Sequence, residues 1–387
     1  MRFSLAALNK KGFGQEAEME KEQERRIIAV KDSFWRFVLP ILLSAVLATG
    51  GFSCNLLTGP HNSTGPDTTS SNFTWTVDTI GGPGSILYDC SVVNDTLAYA
   101  VGELFPRDSA GGSNQSELYN AAVWNGEQWT MIKVPYVYQG NPVYNPIHAV
   151  FALSPNDIWF AGNGVEHWDG HQYSNVDAVD SYGYGHLWQK IWVGSDNNIY
   201  IVNDGGTVVH YDGSWHTIQT GTTLPFQDIW GDGGQVLAVA SDKFGLGGKY
   251  LVELNGNTAV HLDDSIPTAV SLSGLWFKAN QKYFLVGDGV LTNNSLSNKI
   301  WQYDLNRTAA SYYSFAVRGD GLDNIVIAGG FGDMSFYNGT RWTEYKQLYN
   351  PIDQLRSVSI SGNTVVAVGI RTYSGIQYYG VIYTGRR

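Results

Sequence analysis

The sequence predicts an all-β chain folded as a seven-bladed β-propeller of four-stranded antiparallel blades. Three observations lead to this prediction: a repeat of about 40 residues, tight-turn dipeptides flanked by aromatic residues, and the composition. The 387 residues include 45 Gly, 23 Tyr, 16 Phe and 13 Trp, and only 15% are charged. Aromatic residues favour pleated strands and glycine supplies the positive φ of tight turns. The composition therefore indicates many short strands joined by tight turns.

The repeat is clearest in residues 147–162 and 188–202. Each segment holds two strand-like runs joined by a turn rich in Ser, Asn, Asp or Gly, and each is followed by a second pair of runs around Asp-Gly. Residues that accept positive φ are typical of tight hairpins, and the Trp or Tyr on either side is predicted to pack between blades. Further copies begin near Leu87, Phe226, Leu272, Tyr313 and Leu355, which gives seven.

The seventh repeat lacks a fourth strand. Its three strand-like runs end at Tyr383, and the segment Phe73–Asp78, which precedes the first full repeat, resembles the missing strand. Pairing this segment with the last blade would close the ring and cover an open edge, which natural sheets avoid leaving bare. A β-sandwich and an eight-bladed ring are the alternative folds.

The N-terminal region reads as an export signal. Basic residues precede an apolar run from Phe37 to Phe52, and Ser53-Cys54 follows it. This order is typical of a secretory signal, and a cysteine directly after the run resembles the bacterial lipoprotein signal, in which Cys54 would be lipidated. We therefore predict a signal peptide over 1–53, a flexible tether over 54–71 and the propeller over 72–387. An uncut signal-anchor helix is the alternative. The predicted location is the bacterial cell envelope, anchored to the outer membrane and facing the periplasm or the cell surface.

Charge and cysteine content narrow the classes of partner. The formal net charge is −11 and no Lys/Arg stripe is present, so nucleic acid is not an expected partner. Apart from Cys54, the other cysteine is Cys90, in a run that reads as a buried strand. A lone cysteine of this kind is expected to act as a small apolar filler.

The repeated Asp-Ile-Trp and Trp-Asp-Gly-x-x-Trp patterns resemble those of a group of propeller lipoproteins from Gram-negative bacteria. Here they are Asp157–Trp159, Asp228–Trp230 and Trp168–Tyr173, together with the ending Gly385-Arg386-Arg387. The resemblance covers about residues 72–387 and rests on structural motifs. Members of that group are often labelled glucosyl transferases, so the resemblance implies a carbohydrate-related activity.

The residues give little support for an enzymatic role. No Asp-x-Asp, which would hold the metal of a nucleotide sugar, occurs in the sequence, and βαβ alternation is absent. No cofactor and no metal site are predicted; a metal site formed by His148, His167, His171 and His186 is the alternative to ordinary surface or strand histidines. Paired carboxylates can lie on separate strands; the available acids are Asp89, Asp228, Glu253 and Asp263.

The loops predict a binding face. In a propeller, the connections after the second and fourth strands share one face, to which we assign the loops 103–118, 135–146, 177–187, 242–249, 288–298, 346–354 and 371–379. Exposed aromatic residues on loops of a rigid scaffold are typical of binding surfaces. The candidate binding residues are Phe105, Tyr136, Tyr138, Tyr144, Tyr182, Tyr184, Phe244, Tyr349 and Tyr373. The sequence thus predicts a lipid-anchored module that binds a cell-envelope protein or glycan. The alternative is a glycosyl transferase, hydrolase or lyase that uses the same face.

Overall fold

Seven four-stranded antiparallel sheets make up the protein in the computed structural model. The structure describes residues 69–176, 187–195, 198–242, 248–262, 266–267, 271–304, 312–373 and 377–387. The predicted signal peptide, Cys54 and most of the predicted tether lie outside these residues. No helix in the described segments is long and apolar enough to cross a membrane.

The first three blades each use four consecutive strands. Blade 1 contains β2 (Ile86–Asn94), β3 (Leu97–Leu104), β4 (Tyr119–Trp124) and β5 (Trp129–Ile132). Blade 2 contains β8 (Ala149–Ser154), β9 (Asp157–Ala161), β10 (Val165–Trp168) and β11 (Tyr173–Asn175). Blade 3 contains β12 (Trp188–Ser195), β13 (Asn198–Asn203), β14 (Val208–Tyr211) and β15 (Trp215–Ile218). A separate hairpin, β6 (Tyr136–Tyr138) and β7 (Asn141–Val143), joins blade 1 to blade 2.

The next three blades repeat this order. Blade 4 contains β16 (Phe226–Asp232), β17 (Gln235–Ser241), β18 (Lys249–Asn255) and β19 (Thr258–His261). Blade 5 contains β20 (Leu272–Lys278), β21 (Lys282–Gly287), β22 (Val290–Asn293) and β23 (Gln302–Tyr303), with a 3₁₀ helix at Leu296–Asn298. Blade 6 contains β24 (Ser314–Gly321), β25 (Asn324–Gly329), β26 (Met334–Tyr337) and β27 (Trp342–Glu344), and a second 3₁₀ helix follows at Lys346–Leu348.

Blade 7 joins the two ends of the described chain. Its strands are β28 (Asp353–Ser361), β29 (Thr364–Tyr373), β30 (Gln377–Arg386) and, from the N-terminal side, β1 (Thr74–Ile80). β1 pairs with β30 in a continuous antiparallel register from Thr74↔Arg386 to Ile80↔Gly380. The first strand of every blade contacts the first strands of both neighbouring blades, so the ring is closed. The seven-bladed fold and its closure by the N-terminal strand are confirmed.

The blades are held together by apolar clusters, one between each pair of neighbours. The residues that flank the hairpin of the third and fourth strands contribute aromatic pairs to these interfaces, as the repeat predicted. Their ring centroids lie 4.8 to 5.6 Å apart in Trp124–Trp129, Trp168–Tyr173, Tyr211–Trp215 and Tyr337–Trp342. Cys90 is buried in the cluster between blades 7 and 1.

The ring has two distinct faces, which we name by their connections. The turn face carries the hairpin turns between the first and second and between the third and fourth strands of each blade. The loop face carries the connections that follow the second and fourth strands. Residues 69–71, which were assigned to the tether, are bound at the turn face: Thr69 Oγ1 donates to Asp323 at 2.6 Å, and Arg387 donates to the Ser70 carbonyl.

Two of the predicted loops are wrong. In blade 5 the second and third strands are joined by the short Asp288-Gly289 turn, because Val290-Leu291 pairs with β21. The longer connection, 294–301, therefore lies on the turn face. The segment 371–379 is largely paired, since β29 and β30 continue their register to Tyr373↔Gln377.

Candidate functional site

The predicted aromatic residues that the structure describes lie on the loop face, but at three separate places. Tyr182, Tyr184 and Phe244 lie outside the described residues. The first place is the β6–β7 hairpin, which Asn175 of blade 2 binds through both backbone groups of Val137, at 2.6 and 3.0 Å. Tyr136 packs over Gly164, whereas Tyr138 and Tyr144 are exposed.

The second place lies at the junction of blades 7 and 1. Tyr373 is exposed at the end of β29, and its ring meets Tyr379 edge to face at 5.4 Å. Phe105 is half-buried, and its N–H donates to Ser85 Oγ at 3.0 Å. This position gives Phe105 a packing role between loops, whereas Tyr373 presents part of its ring to solvent.

The third place, at blades 6 and 7, combines three contacting aromatic residues with a groove. Tyr349 forms a cluster with Tyr312 and Phe331, with ring centroids 5.0 to 6.3 Å apart. Phe331 and Tyr349 are 42% and 49% exposed, values that identify a contiguous apolar surface rather than a core. A hydrogen bond to Tyr349 is the main reason why the pKa of Tyr312 is raised. We call these three residues the aromatic platform.

The backbone holds the platform in a strained conformation. Phe331 has φ = 61°, in the left-handed region that bulky residues rarely adopt. Its carbonyl accepts a hydrogen bond from the Asn350 N–H at 2.8 Å, and the next residue, Gly332, donates to the Asp353 carbonyl at 3.2 Å. A Cβ on Gly332 would lie 2.7 Å from the Leu348 carbonyl oxygen. Strain of this kind persists where the surroundings enforce it and is concentrated at functional sites.

Beside the platform lies a groove of about 490 Å³. A volume of several hundred Å³ is typical of ligand sites. Its walls combine Tyr312 and Tyr349 of the platform with acidic, basic and apolar side chains. The lining residues are Tyr312, Gly332, Asp333, Met334, Glu344, Tyr345, Lys346 and Tyr349. The arrangement can hold an apolar or aromatic side chain against the rings and polar groups against the opposite wall.

Sequence reasoning found Tyr349 but missed Tyr312 and Phe331. Tyr312 adjoins the start of the sixth repeat, near Tyr313, and lies outside the loops that were predicted to form the binding face. Phe331 lies in Gly330-Phe331-Gly332-Asp333, a connection too short to appear among the long loops. A large aromatic residue between two glycines was the available signal, because it is unusual in a tight connection.

The centre of the ring is closed by buried ion pairs. The Asp89 carboxylate accepts hydrogen bonds from Lys190 Nζ at 2.5 Å and Ser357 Oγ at 2.6 Å. Arg318 binds Asp228 through two hydrogen bonds of 2.6 and 2.7 Å. These contacts connect first strands of five different blades, so we name these five residues the central plug.

The acids and histidines considered from sequence are mostly engaged in structural contacts. Asp89 and Asp228 belong to the central plug, and Glu253 accepts a hydrogen bond from Gln235 at 2.6 Å. His167 stacks on Trp159 at 4.0 Å; Asp263 and His186 lie outside the described residues. Within the described ranges, no group of three or more His, Cys, Asp or Glu is placed to hold a metal ion. Burial raises the pKa of the Cys90 thiol.

No family model and no curated protein matches the chain. Solved structures that resemble it include a protein described as YCF48 bound to D1 peptide, which is 12% identical with a TM-score of 0.57 over 81% of this chain and 97% of that one. YCF48 from Cyanidioschyzon merolae is also 12% identical, with a TM-score of 0.52 over 81% and 98%. The WD40 β-propeller domain of Doa1 has 12% identity and a TM-score of 0.55 over 81% and 97%. These similarities show the propeller fold.

Proposed function

We propose that this chain is a binding module that captures a segment of a protein partner on its loop face, with the aromatic platform and its groove as the anchoring site. The observation that carries the proposal is the exposed, backbone-strained Phe331 packed with Tyr312 and Tyr349 beside a 490 Å³ groove. Exposed aromatic residues on a rigid frame lose little entropy on binding and are enriched among residues that dominate interface energies. The structural likeness to YCF48 in complex with a D1 peptide supports this kind of ligand.

The test compares three forms of the full chain as bait for cell-envelope proteins. The first is the wild type, the second carries Phe331→Gly with Tyr349→Ala, and the third carries Ile300→Ala. Ile300 is a matched control because it is 57% exposed and lies on the turn face. We expect a partner to be retained by the wild type and the control and reduced about tenfold or more in the double variant.

Two outcomes would contradict the proposal. One is equal retention of every partner by the double variant. The other is a fall in the melting temperature of the double variant by many degrees, which would show that the platform stabilises the core. The experiment therefore needs a thermal melt of each form alongside the binding measurement.

A glycan ligand is the second candidate, favoured by Asp333 and Glu344, which line the same groove as the platform. Aromatic rings and carboxylates together suit sugar rings, and a carbohydrate-active enzyme would require such acids. Binding on a glycan array without turnover would support a glycan-binding module. Turnover that is lost in Asp333→Asn or Glu344→Gln would support the enzyme.

Membrane attachment through Cys54 is part of the proposed function. The support is the apolar run that ends at Ser53-Cys54 and the entry of residues 69–71 at the turn face. A tether that leaves from the turn face keeps the groove on the opposite side available to a partner. We expect Cys54→Ser to remain an unprocessed precursor or to leave the membrane fraction. Absence of wild-type labelling by a fatty-acid analogue would contradict lipidation.

A further inference from the structure

Three arginines with limited exposure differ in what balances their charge. Arg318 binds Asp228 through two nitrogens, and Arg371 binds Asp353 in the same way, at 2.6 and 2.7 Å. Arg356 of β28 has no such pair among the described residues. Its Nε donates to Gln354 Oε1 at 3.4 Å, a long contact, and its guanidinium carbon lies 5.8 Å from the centre of the Tyr88 ring.

Among the described residues, no carboxylate compensates the charge of Arg356. Burial lowers the pKa of Arg356, and the groups that oppose this effect are the phenols of Tyr88 and Tyr378. A guanidinium that is largely removed from water without a carboxylate destabilises the folded chain. Such a residue is therefore a candidate for binding an external anion.

Arg356 belongs to a ring of β-bulges around the axis. Six of the seven first strands have a register shift at the same position, where one residue remains unpaired with the second strand. These residues are Tyr88, Gln189, Gln227, Ser273, Phe315 and Arg356. Since each first strand starts at the loop face, the bulges lie at the loop-face end of the channel. Four of them directly precede a residue of the central plug: Asp89, Lys190, Asp228 or Ser357. Bulges re-aim side chains and are frequent beside functional sites.

The groups next to Arg356 are hydrogen-bond donors. Tyr88 stacks on His148 with ring centroids 4.3 Å apart. Burial lowers the pKa of His148 to about 4, so its imidazole is neutral at pH 7 and offers one N–H. Burial also raises the pKa of Tyr88, so its hydroxyl keeps its proton. Two carboxylates influence the pKa values of these rings: Glu103 raises that of Tyr88, and Asp204 raises that of His148. Neither contributes to the pKa of Arg356.

We propose that Arg356, with Tyr88 and His148, forms an axial site for a carboxylate, supplied by the C-terminus or an acidic side chain of the protein segment bound on the loop face. This inference rests on the proposed function. A planar guanidinium matches a carboxylate in two parallel hydrogen bonds, which Lys cannot reproduce. The bound carboxylate would pair with Arg356 as Asp228 pairs with Arg318 and as Asp353 pairs with Arg371.

The test uses three labelled hexapeptides of alanine and serine and the full chain in detergent. One peptide has a free C-terminal carboxylate, the second is amidated, and the third is amidated with one central aspartate. We expect one carboxylate peptide to bind the wild type about tenfold or more tighter than the plain amide. The preference should disappear in Arg356→Gln and weaken in Arg356→Lys. Which of the two carboxylate peptides binds identifies the source of the carboxylate.

Controls separate this inference from the proposed function. Arg341→Gln, an exposed arginine on the turn face, should bind all peptides as the wild type does. Phe331→Gly should keep the carboxylate preference even if it loses the natural partner, because the groove is a separate site. Equal affinity of all three peptides for the wild type would overturn the inference. Stronger competition with the peptide by inorganic phosphate than by acetate would also overturn it. A loss of unfolding free energy in Arg356→Gln as large as that caused by breaking a buried ion pair would overturn it as well.

Discussion

The turn face and the loop face of the ring are built from different kinds of residues. On the turn face, Asn125, Asp169 and Asn338 accept backbone N–H bonds within their own hairpins, and a glycine with positive φ follows each. On the loop face, a bulky Phe331 occupies the left-handed region, and Arg356 has no carboxylate partner in the part of the chain that the structure describes. These three hairpins of the turn face thus follow local rules of chain geometry, whereas Phe331 and Arg356 on the loop face depart from the usual pattern of backbone conformation and charge pairing.

This difference separates features that every blade needs for folding from features that occur in one blade only. The turn face repeats from blade to blade because every blade must reverse its chain and pack against the next one. Phe331 and Arg356 on the loop face are features that occur once, and strained residues such as Phe331 are concentrated at functional sites. The comparison therefore supports the proposed binding on the loop face without relying on similarity to other proteins.

The strongest test of the comparison concerns ring closure. A chain that begins at Gly84 lacks β1, which would expose the edge of β30 and remove Phe73 from the core between blades 6 and 7. We expect it to aggregate or to melt about 10 °C or more below a chain that begins at Ser71. Thermal melts of the two chains measure the difference, and equal melting temperatures would show that β1 is dispensable.

The second test compares paired and unpaired charges. Asp228→Ala leaves Arg318 buried without its carboxylate partner, which typically costs about 3–5 kcal/mol of unfolding free energy. Arg356→Gln removes a charge that has no carboxylate partner, so its unfolding free energy should equal or exceed that of the wild type. Chemical denaturation of the three proteins checks both values. Similar losses in the two variants would mean that the central plug and the bulge ring do not differ.

Sequence reasoning predicted the fold because the fold depends on repeated local signals. The Trp124–Trp129 and Tyr337–Trp342 hairpins could be read from turn dipeptides and flanking aromatic residues, and β1 could be placed because one blade lacked a strand. The candidate site was predicted only in part. Tyr349 lies on a long loop, but the platform also depends on Phe331 in a short connection and on hydrogen bonds between two loops. Among the described residues Arg356 has no carboxylate partner, and this depends on which side chains the neighbouring blade places beside it, which no local pattern encodes.

The third and smallest expected effect concerns Glu166, near the loop-face end of β10. Glu166 is 5% exposed, and its Oε2 has no hydrogen-bond partner among the described residues. Burial raises the pKa of this carboxyl from its ordinary value of 4.5 to about 8. The folded state therefore keeps the proton up to about pH 8, whereas the unfolded chain loses it near pH 4.5. Because the folded state binds the extra proton, the unfolding free energy falls as the pH rises through this window.

Glu166→Gln should remove this pH dependence. At pH 5 the variant and the wild type should have similar unfolding free energies, since Glu166 is then neutral in the folded state and Gln is an isosteric neutral group. At pH 8 the variant should be more stable by roughly 1–3 kcal/mol, less than the full linkage limit, because local opening of the β6–β7 hairpin would let water reach the carboxylate. Urea denaturation of both proteins at the two pH values measures the change. A stability difference that does not vary with pH would show that Glu166 is ionised in the folded ring, and that this part of the loop-face side is hydrated like an ordinary protein surface.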